Sequence, residues 1–345
     1  MTDTPIPASL PFASRRRRIL LAFLSMAIGT CIALACGELF VRWVSPVAAM
    51  YPRSQFSASY GLISPPGRTI VGEMPGRYRF QYTTNELGHR GKAVPISNTY
   101  PHPMVVVLGD SYTFGYGIAD GEEYPMLLQD KLRERFDVAN LGMGGWGLTQ
   151  EIRRFYELGQ LYQPSVVVLQ FTGNDPAENF FYKVTDIAEG RFRFHSAPSQ
   201  LGLVKRLLSD SWIQRSQLYN LIRDQIYWAL RARQRAGMNV PAGGGQAAWA
   251  TDEEQRFHAD LLALFARDLK RRNIRLYVIA VEGHLAAAPL IREKIRELDS
   301  ADQLKFLDVE SWLEKGEHDL SPEGHWGPAT HRTVAAGLAS AILAQ

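Results

Sequence analysis

Gly109-Asp110-Ser111-Tyr112-Thr113-Phe114-Gly115 directly follows Met104 to Leu108, a short, wholly apolar, valine-rich run. That run has the texture of a buried parallel strand. Ser111 then stands at the strand's carboxyl end, where glycines permit a tight turn and the close approach of a substrate. A hydroxyl there is a candidate nucleophile, although Asp and Ser are also ordinary turn residues. Two further apolar runs end in small-residue loops that carry a polar group, Asn140-Leu141-Gly142-Met143-Gly144-Gly145-Trp146-Gly147 and Thr172-Gly173-Asn174-Asp175. Near the C-terminus, Ser321-Pro322-Glu323-Gly324-His325-Trp326-Gly327-Pro328 sets a carboxylate and an imidazole two residues apart. A serine becomes an effective nucleophile when an adjacent imidazole takes its proton. A tetrahedral oxyanion needs fixed donors, each worth roughly 3 to 4 kcal/mol.

The elements that must position these groups alternate. Strands are expected at Met104–Leu108, Val138–Leu141, Val166–Phe171 and Ile274–Val281, with helices at Glu122–Phe136, Thr149–Leu161, Asp252–Arg272 and about Pro328–Leu343. This order implies an α/β fold with a mostly parallel sheet covered on both faces. Two insertions, within about residues 180–250, interrupt the rhythm. One suggests a hairpin turning at Glu189-Gly190, and the other holds helices over 200–235 before the glycine-rich stretch Ala242 to Gly245. Loops beyond the carboxyl ends of strands shape the ligand site in such sheets, so these segments are either a substrate-facing lid or the core of the insertion itself.

The order and spacing of the four motifs resemble the SGNH hydrolase superfamily, the GDSL esterases and lipases, over about residues 103–345. Thr84-Asn85-Glu86-Leu87-Gly88-His89-Arg90-Gly91 resembles the lead-in of membrane-anchored bacterial members. The resemblance implies a flavodoxin-like three-layer α/β/α sandwich with Ser111 as nucleophile and His325 as general base. It also implies an oxyanion hole formed by the backbone N–H groups of Ser111 and Gly145 and the side-chain amide of Asn174. The family's usual acid, three residues before the histidine, is replaced here by Pro322. Glu323, two before it, is the expected third member of the triad, with Asp319 as the alternative and an unassisted histidine as the remaining case. His331 reads as structural or capping, and His318 would be the base only in a different register. His89, His102, His195, His258 and His284 have no metal-ligand spacing, so no metal and no cofactor is expected.

At the N-terminus, Ile19 to Cys36 runs for eighteen residues without a charge and continues after Glu38 through Val44. That suffices for a transmembrane helix. A cleaved signal, whose apolar region is about 7 to 15 residues, and acylation at Cys36 are the alternatives. Arg15 to Arg18 precede the segment and only Arg42 and Arg53 follow closely, so the positive-inside rule puts the N-terminus in the cytoplasm and the remaining chain outside the inner membrane. The division that follows is a tail over 1–18, an anchor over 19–44, a linker and strand-rich lead-in over 45–102, and the catalytic domain over 103–345. At 345 residues and about 150 per domain, length alone allows two domains. The +3 formal charge comes from 38 basic against 35 acidic residues. With four of the basic residues in one run, no nucleic-acid footprint is left. Cys31 and Cys36, the sole cysteines, lie in the apolar segment, which excludes a disulfide framework beyond it.

The expected activity is that of an extracytoplasmic serine esterase removing an acyl group, acetyl foremost, from a glycan or small ester. The alternatives are an O-acyltransferase working with a membrane-bound acyltransferase partner on a polysaccharide, and a non-catalytic binding factor.

Overall fold

The computed structural model describes residues 13–97, 99–197, 212–236, 250–313, 319–321 and 324–344. Helix α1 (Ala13–Val44) leads into small antiparallel strands: β1 (Ala49–Tyr51), β2 (Gln55–Ser57), β3 (Gly61–Ile63), β4 (Thr69–Met74) and β5 (Tyr78–Thr83). The α/β unit follows with β6 (Met104–Leu108), α2 (Ser111–Phe114), α3 (Tyr124–Leu132), β7 (Asp137–Asn140), α4 (Leu148–Glu157), β8 (Pro164–Phe171) and α5 (Asp175–Tyr182). After the hairpin β9 (Thr185–Ala188) and β10 (Arg191–Phe194) come α6 (Gln217–Ala236), α7 (Asp252–Arg271), β11 (Arg275–Ala280), α8 (Pro289–Ser300), β12 (Lys305–Leu307) and α9 (Pro328–Leu343).

The main sheet has the order β12-β11-β8-β6-β7 and is parallel throughout. Alternate residues of the valine-rich strands face opposite layers, as the two-residue period requires. Val105, Val107, Val166 and Val168 pack under α3 and α9 with Leu128, Val334 and Leu338. Val106, Leu108, Val167 and Leu169 pack under α4, α7 and α8 with Ile152, Phe265 and Ile291. The result is a three-layer α/β/α sandwich. Because β6 has β7 on one side and β8 on the other, the chain reverses direction across the sheet at β6. A crevice opens at that strand's carboxyl end, immediately before Ser111.

The expected hairpin turns at Glu189-Gly190, both at positive φ. Its Phe192 packs against Tyr156 and Phe265, so this part of the insertion is core on the sandwich flank rather than lid. The expected helix 149–161 stops at Glu157, and Gly159–Tyr162 tightens to a 3₁₀ turn. Helices α5 and α8 and strand β12 were not anticipated. Ala242 to Gly245 lie outside the described residues.

The lead-in is packed on the loops that follow β6 and β7. Tyr60, Ile70 and Tyr82 share a buried cluster with Phe114, Met143 and Trp146. Helix α1 is long and apolar enough to cross a membrane from Arg16 to Val44, and Glu38 pairs with Arg42 at 2.9 Å on its last turns.

Candidate active site

Gly109 turns the chain out of β6 where a Cβ would stand 2.1 Å from Thr113 Oγ1 and 2.7 Å from Gln170 Oε1. Only glycine fits that approach. Asp110 caps α2 by accepting from Tyr112 N at 3.0 Å, and Ser111 opens the helix half-buried in the crevice. His325 comes from the loop before α9. Ser321 N donates to the His325 carbonyl at 2.8 Å and Gly327 N donates to the Asp319 carbonyl at 2.7 Å, which folds that loop back on itself. The loop brings His325 Nε2 to 2.9 Å from Ser111 Oγ across 214 residues of chain. The imidazole lies between Tyr112 and Tyr116, with ring centroids at 4.8 and 5.0 Å.

The glycine-rich loop after β7 is tied to the nucleophile loop, since Leu141 N donates to Val107 O at 2.9 Å and Met143 N to Gly109 O at 3.0 Å. A Cβ on Gly144 would lie 3.9 Å from Ser111 Cβ. Gly145, next along, has φ +77°, a left-handed conformation that other residues take at a cost. Asn174 heads α5 without capping it by its side chain. Gly173 N donates to His284 Nδ1 at 3.2 Å. Glu323 and His318 lie outside the described residues. Asp319 Oδ2 accepts from Ala329 N at 2.7 Å, so this carboxylate holds the first turn of α9. His331 is fully buried and accepts from Tyr124 N at 3.0 Å, the structural role expected of it, and burial pushes it down to about 3.

Beneath Ser111 lie three fully buried acids, Asp110, Glu151 and Asp175, and burial raises all three, Glu151 and Asp175 well above the usual carboxylate range. Thr172 Oγ1 sits 2.6 Å from Asp110 Oδ2 and 2.9 Å from Asp175 Oδ1. The shared hydroxyl couples the two acids, so a proton is taken up or released by the pair rather than by either carboxyl alone. Several groups at the site escaped sequence reasoning. Glu282, just beyond β11, accepts from Trp326 Nε1 at 2.8 Å, and the His284 ring lies 6.1 Å from that of Tyr112. Their signal was position alone, at the carboxyl end of a parallel strand.

Residues 107–333 match the model of the GDSL-like lipase/acylhydrolase family. The chain belongs to this family. The GDSL-like segment runs from β6 into α9 and includes Ser111, Gly145, Asn174 and His325. It is similar to thioesterase 1/protease 1/lysophospholipase L1 of Escherichia coli K12, 32% identical over 76 residues. That match spans 22% of this GDSL-like chain and 36% of the relative, about a third of its length. Among solved structures, esterase EstA from Pseudoalteromonas sp. is similar at 12% identity and a TM-score of 0.41, over 70% of this chain and 97% of that one. A lipolytic G-D-S-L family protein from Veillonella parvula DSM 2008 is similar at 11% identity and 0.41, over 70% and 99%.

Proposed function

We propose that this chain is a serine esterase acting through an acyl-Ser111 intermediate, anchored by α1 in the inner membrane with its catalytic domain outside the cytoplasm. The observation that carries the reading is the 2.9 Å contact between His325 Nε2 and Ser111 Oγ at the carboxyl end of β6. His325 takes the hydroxyl proton as Oγ attacks the ester carbonyl. The oxyanion forms against the N–H groups of Ser111 and Gly145 and the Asn174 amide. His325 then returns the proton to the leaving alcohol. Water, deprotonated by the same imidazole, cleaves the acyl-serine to release acid and regenerate the hydroxyl. Glu323 orients His325 in this scheme. The substrate is an acylated glycan or small ester.

An acetylated chromogenic ester should be hydrolysed without any sugar acceptor, and an intact-mass measurement after brief exposure to an activated acyl donor should find the acyl group on Ser111. Turnover that appears only when a sugar hydroxyl is supplied would make the chain an O-acyltransferase instead. The arginines at 15–18 support the orientation. Protease added to intact spheroplasts should remove the catalytic domain, and its protection would reverse the topology.

A further inference from the structure

Helix α6 meets the membrane helix at a single level. From Arg16 to Cys36 every residue of α1 is exposed, whereas Gly37, Glu38, Val41 and Arg42 are covered. The Glu38 carboxylate accepts from Ser216 Oγ at 2.8 Å, Gln217 N at 3.0 Å and Leu218 N at 2.9 Å. It thus satisfies the orphan N–H groups at the start of α6. Arg42 donates to the Arg215 carbonyl at 3.2 Å, and a Cβ on Gly37 would lie 3.1 Å from Leu218 Cδ2. The anchor is therefore locked to α6, not merely a tether. Trp43, 80% exposed, follows Glu38 by five residues, or about 8 Å of helix. An exposed tryptophan at the end of an apolar span marks the interfacial layer, so α6 starts at the depth of that layer.

Leu218, Ile222 and Ile226, four apart, share one face of α6. That face touches the anchor at Leu218 and continues bare, with Ile222 51% and Ile226 55% exposed. The sequence of α6 adds Tyr227, Trp228 and four arginines against one aspartate. An exposed apolar stripe on a cationic helix that starts at a membrane interface suits an anionic lipid surface. We propose that α6 is a membrane-surface helix whose Leu218–Ile222–Ile226 stripe beds into the headgroup boundary of an anionic phospholipid leaflet, beside the point where α1 leaves it. This rests on α1 spanning a bilayer. The arrangement keeps the candidate site near the lipid. Met50, Gly72 and Phe80 form one cross-strand row, about 10 Å across. Phe80 then meets Tyr116 at 5.6 Å, and Tyr116 meets His325 at 5.0 Å.

The test uses the full chain with Cys31→Ser and Cys36→Ser, carrying one nitrobenzoxadiazole label at Ile226→Cys, Leu24→Cys or Asp302→Cys. It is reconstituted in phosphatidylglycerol–phosphatidylethanolamine vesicles with or without doxyl-labelled lipid. The Asp302 side chain is 98% exposed beside Lys270, on the α/β unit just before β12. The labels at 226 and 24 should each lose more than about half their fluorescence to doxyl lipid, and the label at 302 none. Quenching at 24 without quenching at 226 would overturn the proposal while leaving the membrane anchor standing. A label at 226 shielded from aqueous iodide yet untouched by doxyl lipid would assign the stripe to a protein partner or second copy and overturn it equally. No quenching at 24 would remove the anchor, and the proposal with it.

Discussion

The Nδ1–H of His89 donates to the carbonyl of Gly142 at 2.9 Å. Arg154 fixes this tautomer by donating its Nε and Nη2 to His89 Nε2 at 2.9 and 2.7 Å. The next residue, Arg90, is fully buried and donates to Gly115 O at 2.8 Å and Ala119 O at 2.7 Å, while pairing with Glu123 at 3.0 Å. Consecutive lead-in residues thus hold both loops of the site, one after β7 and one after β6. His89→Ala should lower kcat about 10- to 100-fold through misplacement of the glycine-rich loop, with KM nearly unchanged. Steady-state kinetics on a small ester checks this, and an unaltered kcat would make His89 purely a packing residue.

Ser111→Ala should lower ester turnover by at least about 1,000-fold without changing the thermal midpoint. The hydroxyl is half-buried in a crevice and its loss opens no core cavity. Activity above that floor would move the nucleophile elsewhere.

Asn174→Ala should cost about 100- to 1,000-fold in kcat, the usual loss for one oxyanion donor. Because its side chain does not cap α5, stability should hold. A raised KM at constant kcat would instead make Asn174 a substrate-binding group.

Glu151→Gln should stabilise the protein increasingly as pH rises. The folded state keeps Glu151 protonated well above the usual range through burial and the nearby Asp110, whereas the unfolded chain ionises it near about 4.3. Below that value both states are protonated and the substitution is nearly neutral. Above it the wild type loses about 1.4 kcal/mol per pH unit until the folded group itself titrates. His89, pushed down to about 3 by burial, pulls the other way, since its stability is lost as pH falls below about 6.5. Urea midpoints across pH 4 to 8 separate the two. A Glu151→Gln advantage that shrinks with pH would refute the protonation assignment.

Asp319→Asn and Glu323→Gln should part company. Asp319 accepts from the Ala329 N–H and the amide oxygen of Asn can keep that bond, so Asp319→Asn should change stability by less than about 1 kcal/mol and spare the pH profile of kcat/KM. Glu323→Gln should cut the plateau of that profile and move its midpoint down, because a neighbouring carboxylate favours the charged imidazolium. The larger midpoint shift with Asp319→Asn would reverse the assignment.

The valine-rich runs, the small-residue loops that end them and the uncharged stretch after Ile19 are local patterns, and local patterns determine strands, turns and a candidate span directly. A parallel sheet covered on both faces and Ser111 as a candidate nucleophile were legible for that reason, whereas Gly145, Asn174 and His325 took their expected roles from the resemblance that the four motifs carry. What joins distant segments was not legible. The 2.9 Å contact between Ser111 and His325 needs the strand reversal at β6 and the folded-back loop before α9. The clamp of His89 and Arg90 on two loops of the candidate site is set by packing between the lead-in and the sandwich, with no period in the sequence to announce it. The same holds for Glu38, whose i, i+4 spacing to Arg42 allows a helical ion pair, while its capping of α6 some 180 residues away emerged only once the chain had folded back to α1. Hydrogen bonds of that reach depend on which surfaces meet in three dimensions, and sequence spacing carries no record of them.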